Sequence, residues 1–84
     1  MKYLKFYADW CVPCKQMSNI IDLNFKDKVV VDNINIDLPE NSKLVEKYHI
    51  MGIPALYQVD EKEEVVSKFE KPISVTSLKE YFML

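Results

Sequence analysis

The chain has 84 residues, of which 49% are hydrophobic and 29% charged, and its net charge at neutral pH is −2. This suits one modest core in a single domain over residues 1–84 and is too apolar for a disordered tail. All 11 basic residues are lysines scattered among 13 acids; without arginine's bidentate fork, nucleic-acid binding through charge is not expected.

Membrane insertion is not expected either, because no apolar run nears the roughly 20 residues a spanning helix needs. Met1 to Leu4 enter a strand pattern instead of a signal peptide's apolar segment. A small secreted domain usually spreads several cysteines through its loops as staples, whereas this chain has two. The expectation is therefore a cytoplasmic monomer.

In chain order, Leu4, Phe6 and Ala8 alternate with Tyr3, Lys5 and Tyr7, which predicts a strand. It runs into Trp10, Cys11, Val12, Pro13, Cys14 and Lys15. Met17, Ile20, Ile21 and Phe25 then fall near helical spacing, so a helix is expected from about Val12 to Phe25. Pro13 fits its first turn, where a missing N–H costs no hydrogen bond. Both cysteines thus stand at a helix N-terminus, whose unpaired N–H groups and dipole stabilise a thiolate and lower its pKa from about 8.5. This is the pattern of a redox-active dithiol. Two other readings exist: buried thiols without chemistry, or half of a zinc site. Zinc needs four ligands, and with His49 as the one further candidate a second chain would have to complete it.

After a polar break at Lys26, Asp27 and Lys28, the residues Val29, Val30, Val31, Ile34 and Ile36 read as a buried strand ending at Asp37. Strand, helix and strand in this span imply a right-handed parallel crossover. Pro39, Glu40 and Asn41 start a second helix with Leu44, Val45 and Tyr48 as its apolar stripe, stopping at His49. Histidine invites an acid–base role. The stronger reading is a helix end, where a cation meets the negative dipole and histidine tolerates unusual backbone angles.

The chain's one glycine, Gly52, precedes Ile53 and Pro54 at a strand mouth, an arrangement suited to a cis peptide bond. Such a bond would turn the backbone of Ile53 outward, free to receive an extended peptide. Ala55 to Val59 and Val65 to Phe69 form a hairpin around the solvated turn Asp60 to Glu64. Ser74 or Ser77 then caps a last helix carrying Val75, Leu78 and Phe82.

Taken together, these residues resemble the thioredoxin family over nearly the whole chain. The motifs are W-C-V-P-C-K after a strand, N-I-D at Asn35 to Asp37, E-K-Y at Glu46 to Tyr48, G-I-P at Gly52 to Pro54 and L-K-E-Y-F at Leu78 to Phe82. The resemblance implies an α/β, thioredoxin-like fold in its minimal βαβαββα form, a four-stranded mixed sheet flanked by three helices, without the amino-terminal strand and helix of thioredoxins. It also implies a thiol–disulfide oxidoreductase that reduces protein disulfides. Cys11, exposed at the helix start, would attack the substrate disulfide, and Cys14 would resolve the mixed disulfide. Pro54 matches the family's cis-proline. Substrate contacts are expected from Trp10, Pro13, Ile53 and Pro54. No metal and no bound cofactor are implied, and electrons would come from NADPH or glutathione through a partner, either a thioredoxin reductase or the glutathione system.

The chain departs from the family pattern in four places. Val12 replaces a glycine, and Asn19 replaces a proline that often kinks the helix. Lys71 and Pro72 stand where glycine is usual. Lys5 lies where the family commonly has a buried aspartate, five residues before Trp10. A lysine near the sulfurs would favour thiolate and make the protein more oxidising; the alternative is that Lys5 buries its stem and leads its ammonium to water. Two other functions stay open. A glutaredoxin-like enzyme coupled to glutathione is disfavoured by W-C-V-P-C in place of C-P-Y-C and by the lack of a G-G pair near the carboxyl end. A binding subunit would clamp a partner around Trp10 and Pro54, with the dithiol incidental.

Overall fold

The computed structural model describes residues 1–84 as the strand β1 (Lys2–Tyr7), the helix α1 (Val12–Asn24), β2 (Val31–Asn35), α2 (Ser42–Lys47), β3 (Ala55–Val59), β4 (Val65–Lys68) and α3 (Val75–Tyr81). The sheet order is β2-β1-β3-β4, with β1 parallel to β2 and antiparallel to β3, and with β3 antiparallel to β4. This is the βαβαββα order and four-stranded mixed sheet that the resemblance implies. No helix is long and apolar enough to cross a membrane.

Alternation along β1 distributes its side chains between two cores, one on each face of the sheet. Tyr3 packs with Met17, Ile21 and Phe25 from α1, Leu56 from β3, and Leu78 and Phe82 from the α3 segment. On the opposite face Leu4 and Phe6 meet Ile34, Val59 and Tyr48. Phe82 closes the first core by edge contacts, its ring centroid 4.8 Å from Tyr3 and 5.6 Å from Phe25, a geometry worth about 0.5–1.5 kcal/mol per pair beyond the area buried.

The valine run does not form a buried strand. β2 begins only at Val31, Ile34 is its single buried residue, and Val30 is 64% exposed. The cause is its position at the sheet edge, which leaves Asp32 in water to pair with Lys2 at 3.0 Å. The second helix also differs from expectation, since Pro39–Asn41 form a single 3-10 turn before α2 proper. Its end follows the sequence reading. His49 adopts φ 52°, its N–H donates to the Glu46 carbonyl and that of Ile50 to the Val45 carbonyl, so the last turn closes as a Schellman motif.

Tyr48 carries this corner to the hairpin by donating its hydroxyl to the Glu63 carbonyl at 2.7 Å. The hairpin turn is shaped without glycine: Glu63 itself sits at φ 64°, and the Asp60 carboxylate accepts from the N–H groups of Lys62 and Glu64. Ser74 caps α3 in a reciprocal box with Ser77. Gly52, by contrast, has no positive φ, and a β-carbon there would meet nothing within 4 Å. The backbone conformation does not require glycine at that position.

Candidate active site

β1 delivers the chain to the site and α1 organises it. Beyond Tyr7, the buried Ala8 accepts a hydrogen bond from the N–H of Cys11. Cys11 then serves as the N-cap of α1 in an extended conformation, its Sγ accepting from the N–H of Cys14 at 3.2 Å, with Pro13 in the first turn. The two cysteines form a disulfide with their Cα atoms 5.2 Å apart. The N–H that meets Cys11 Sγ is one of the helix's unpaired donors, so a thiolate formed there on reduction meets a ready partner and the positive end of a 13-residue helix.

Cys11 is not exposed as the sequence reading supposed. It is 5% accessible, and Cys14 is 2% accessible. Tyr7, Ile36 and Ile53 pack against the pair and Ala8, while the intervening Val12 takes the solvent position at 72% exposure. Tyr7, Ile36 and Ile53 thus form an apolar rim around the sulfurs. Trp10 belongs to that rim. It is 67% exposed, and its Nε1 donates to Asp37 Oδ2 at 2.9 Å. Asp37 in turn donates its N–H to Asn35 Oδ1.

Sequence reasoning quoted Asn35 to Asp37 but gave Asp37 no task. The available signal was the parallel crossover: Tyr7 lies opposite Asn35, and the N–H of Ile36 donates to the Tyr7 carbonyl, so residues just beyond both strands arrive side by side. Ile53 reaches the sulfurs from the loop before β3. The Ile53–Pro54 peptide bond is cis, and no backbone hydrogen bond engages the N–H or C=O of Ile53. Pro54 is half-buried at the start of β3, and Pro13 is exposed beside Val12.

Lys5 corrects the snorkelling reading. The side chain is 4% exposed, the one charged residue among the buried set, and its ammonium donates to Ser18 Oγ instead of reaching water. Lys5 projects to the face of β1 that α1 covers, and Ser18 on that helix meets it. Burial lowers the Lys5 pKa from its ordinary value, and the carboxylate of Asp22 opposes this in part. Ser18 follows Cys14 by four residues, one turn along the same helix face, and both line a small cavity with Tyr7, Ala8, Asp9, Lys15 and Asn19.

His49 lies apart, exposed at the end of α2. No group of three or more His, Cys, Asp or Glu side chains is placed to hold a metal ion.

The thioredoxin family model matches residues 2–83. A thioredoxin of Buchnera aphidicola subsp. Baizongia pistaciae is 37% identical over 82 residues, spanning 94% of this chain and 72% of that protein. The thiol:disulfide interchange protein DsbD of Haemophilus influenzae is 29% identical over 70 residues, which are 75% of this chain but 12% of that protein. Among solved structures, a mutant thioredoxin from Halobacterium salinarum superposes with a TM-score of 0.77 at 27% identity, over 95% of this chain and 69% of that one.

Proposed function

Since this chain belongs to the thioredoxin family, we propose that it is a thiol–disulfide oxidoreductase that reduces protein disulfides through Cys11 and Cys14. The observation that carries the reading is the closed Cys11–Cys14 pair on the cap of α1, with the Cys14 N–H already directed at Cys11 Sγ. In the reduced protein the Cys11 thiolate attacks one sulfur of a substrate disulfide, forms a mixed disulfide and expels the other substrate sulfur as thiolate. Cys14, after losing its proton, attacks Cys11 Sγ and releases the second substrate sulfur. The substrate has gained two electrons, and the Cys11–Cys14 disulfide is restored.

Trp10, Pro13, Ile53 and Pro54 make the substrate contacts in this proposal. The free backbone N–H and C=O of Ile53 support pairing with an extended substrate segment, and the exposed indole of Trp10, steadied by Asp37, supports an apolar contact beside the sulfurs. Electrons return from NADPH or glutathione through a partner dithiol. A cytoplasmic setting suits a chain whose two cysteines both stand in the site and none in a structural staple.

Trapping tests the reading. Reduced Cys14→Ser is expected to accumulate a mixed disulfide with insulin, visible on a non-reducing gel, whereas Cys11→Ser is expected to accumulate none. If replacing both cysteines by serine left the protein's cellular function intact, the dithiol would be incidental and a binding subunit the correct reading.

A further inference from the structure

Lys5 is the one buried charge of the molecule, and the exchange steps above leave it without a task. Its only hydrogen-bond acceptor is a neutral hydroxyl, Ser18 Oγ. A charge held in this way is costly unless an anion stands near. The charged and titratable groups around it are few: Tyr7 on β1, with its ring centroid 5.9 Å from the ammonium, Asp22 on α1, and Lys26 in the turn beyond it. The facing residues of β2, Val31 and Asn33, carry no charge. Asp22 offsets the burial of Lys5 only in part, and Ser18, which accepts from Lys5, also lines the cavity of Cys14, with Asp9 and Lys15 exposed on its wall. When the pair is oxidised, no anion exists at Cys14. When it is reduced, one can form.

We propose that Lys5 is a positioning residue for the exchange reaction, a buried cation that through Ser18 stabilises the Cys14 thiolate and so favours the reduced form of the pair. The inference rests on the oxidoreductase reading and assigns to it a direction. Reduction breaks the Sγ–Sγ bond with two electrons from a donor dithiol or from two glutathione thiols, whose sulfurs join in a new disulfide. Each of the two freed sulfurs then holds a proton or a negative charge. Lys5 favours the charge at Cys14, and the proton is left to solvent. The stabilisation exists only in the reduced state, so the protein is a weaker reductant than it would be with a neutral residue at this position.

The effect is reciprocal: if the ammonium stabilises the thiolate, the thiolate holds the proton on Lys5 more tightly. Two measurements follow. In the first, wild type and Lys5→Met are equilibrated with reduced and oxidised glutathione at pH 7, and Cys14 alkylation is followed from pH 5 to 10. The variant is expected to shift about tenfold toward the disulfide, equivalent to a potential about 30 mV more negative, with a higher alkylation midpoint. The second needs no substitution: the NMR titration of the Lys5 ε-methylene is compared between the oxidised and reduced wild type, and the midpoint is expected to be higher in the reduced protein. It stands alone if Lys5→Met does not fold. An equilibrium constant within twofold of wild type with an unmoved alkylation profile overturns the role of Lys5, as does a Lys5 midpoint that ignores the redox state. A wild-type pair that never exchanges with glutathione or dithiothreitol refutes the oxidoreductase reading itself, a distinct result.

Discussion

Replacing His49 by glycine is expected to stabilise the protein and leave its exchange activity unchanged. His49 occupies the position just past the end of α2 at φ 52°, where its N–H and that of Ile50 close the last turn. Its imidazole is exposed. A left-handed conformation costs an L-residue about 1–2 kcal/mol, with histidine toward the lower end because it visits this region more readily than most. Glycine removes that cost, and its greater freedom in the unfolded chain offsets about 0.5–1 kcal/mol of the gain. The net expectation is a gain of between about 0 and 1 kcal/mol, or up to roughly 8 °C in Tm for a domain of this size.

Urea denaturation reads it directly. His49→Ala is the control: it keeps the β-carbon and the strained backbone, and should stay within about 0.5 kcal/mol of wild type. A His49→Gly protein less stable than wild type would show that the side chain contributes where the geometry shows no partner. Lost insulin reduction in a folded His49→Gly protein would restore the acid–base role that the sequence left as the weaker reading.

Other consequences can be checked with the same instruments. Ser74→Ala removes the Ser74 Oγ that accepts from the Ser77 N–H, one half of the α3 capping box, and should cost about 1 kcal/mol in urea denaturation; a neutral outcome would mean that this cap adds nothing to what the buried Leu78 and Phe82 supply. A pH effect follows from Lys5, whose pKa burial lowers from 10.5. Between the folded midpoint and that value the unfolded chain holds a proton the folded protein has released, so stability rises with pH across this window and is flat below it, where Lys5 is charged in both states. Oxidised Lys5→Met should therefore exceed wild type in stability near neutrality, by a margin that shrinks as pH approaches 10.5; a margin independent of pH would contradict the buried ammonium.

Much of this protein was legible in the chain because it depends on short-range physics. Two cysteines with a proline between them, placed where a period of two gives way to a helical period, locate a dithiol on a helix cap whatever surrounds it. The same holds for Ser74 at the start of α3 and for His49 in a left-handed turn, since caps and backbone sterics act over a few residues. Burial obeys other rules, because it depends on which distant segments lie on top. The valine run looked like core and lies at an edge, since strand order is settled by pairing between segments far apart in sequence. Cys11 is covered by Ile36 and Ile53 from two remote loops, and Trp10 is held by an aspartate 27 residues away. Lys5 shows the division most plainly: alternation placed it on one face of β1, but only the helix packed over that face left its ammonium with Ser18 instead of water.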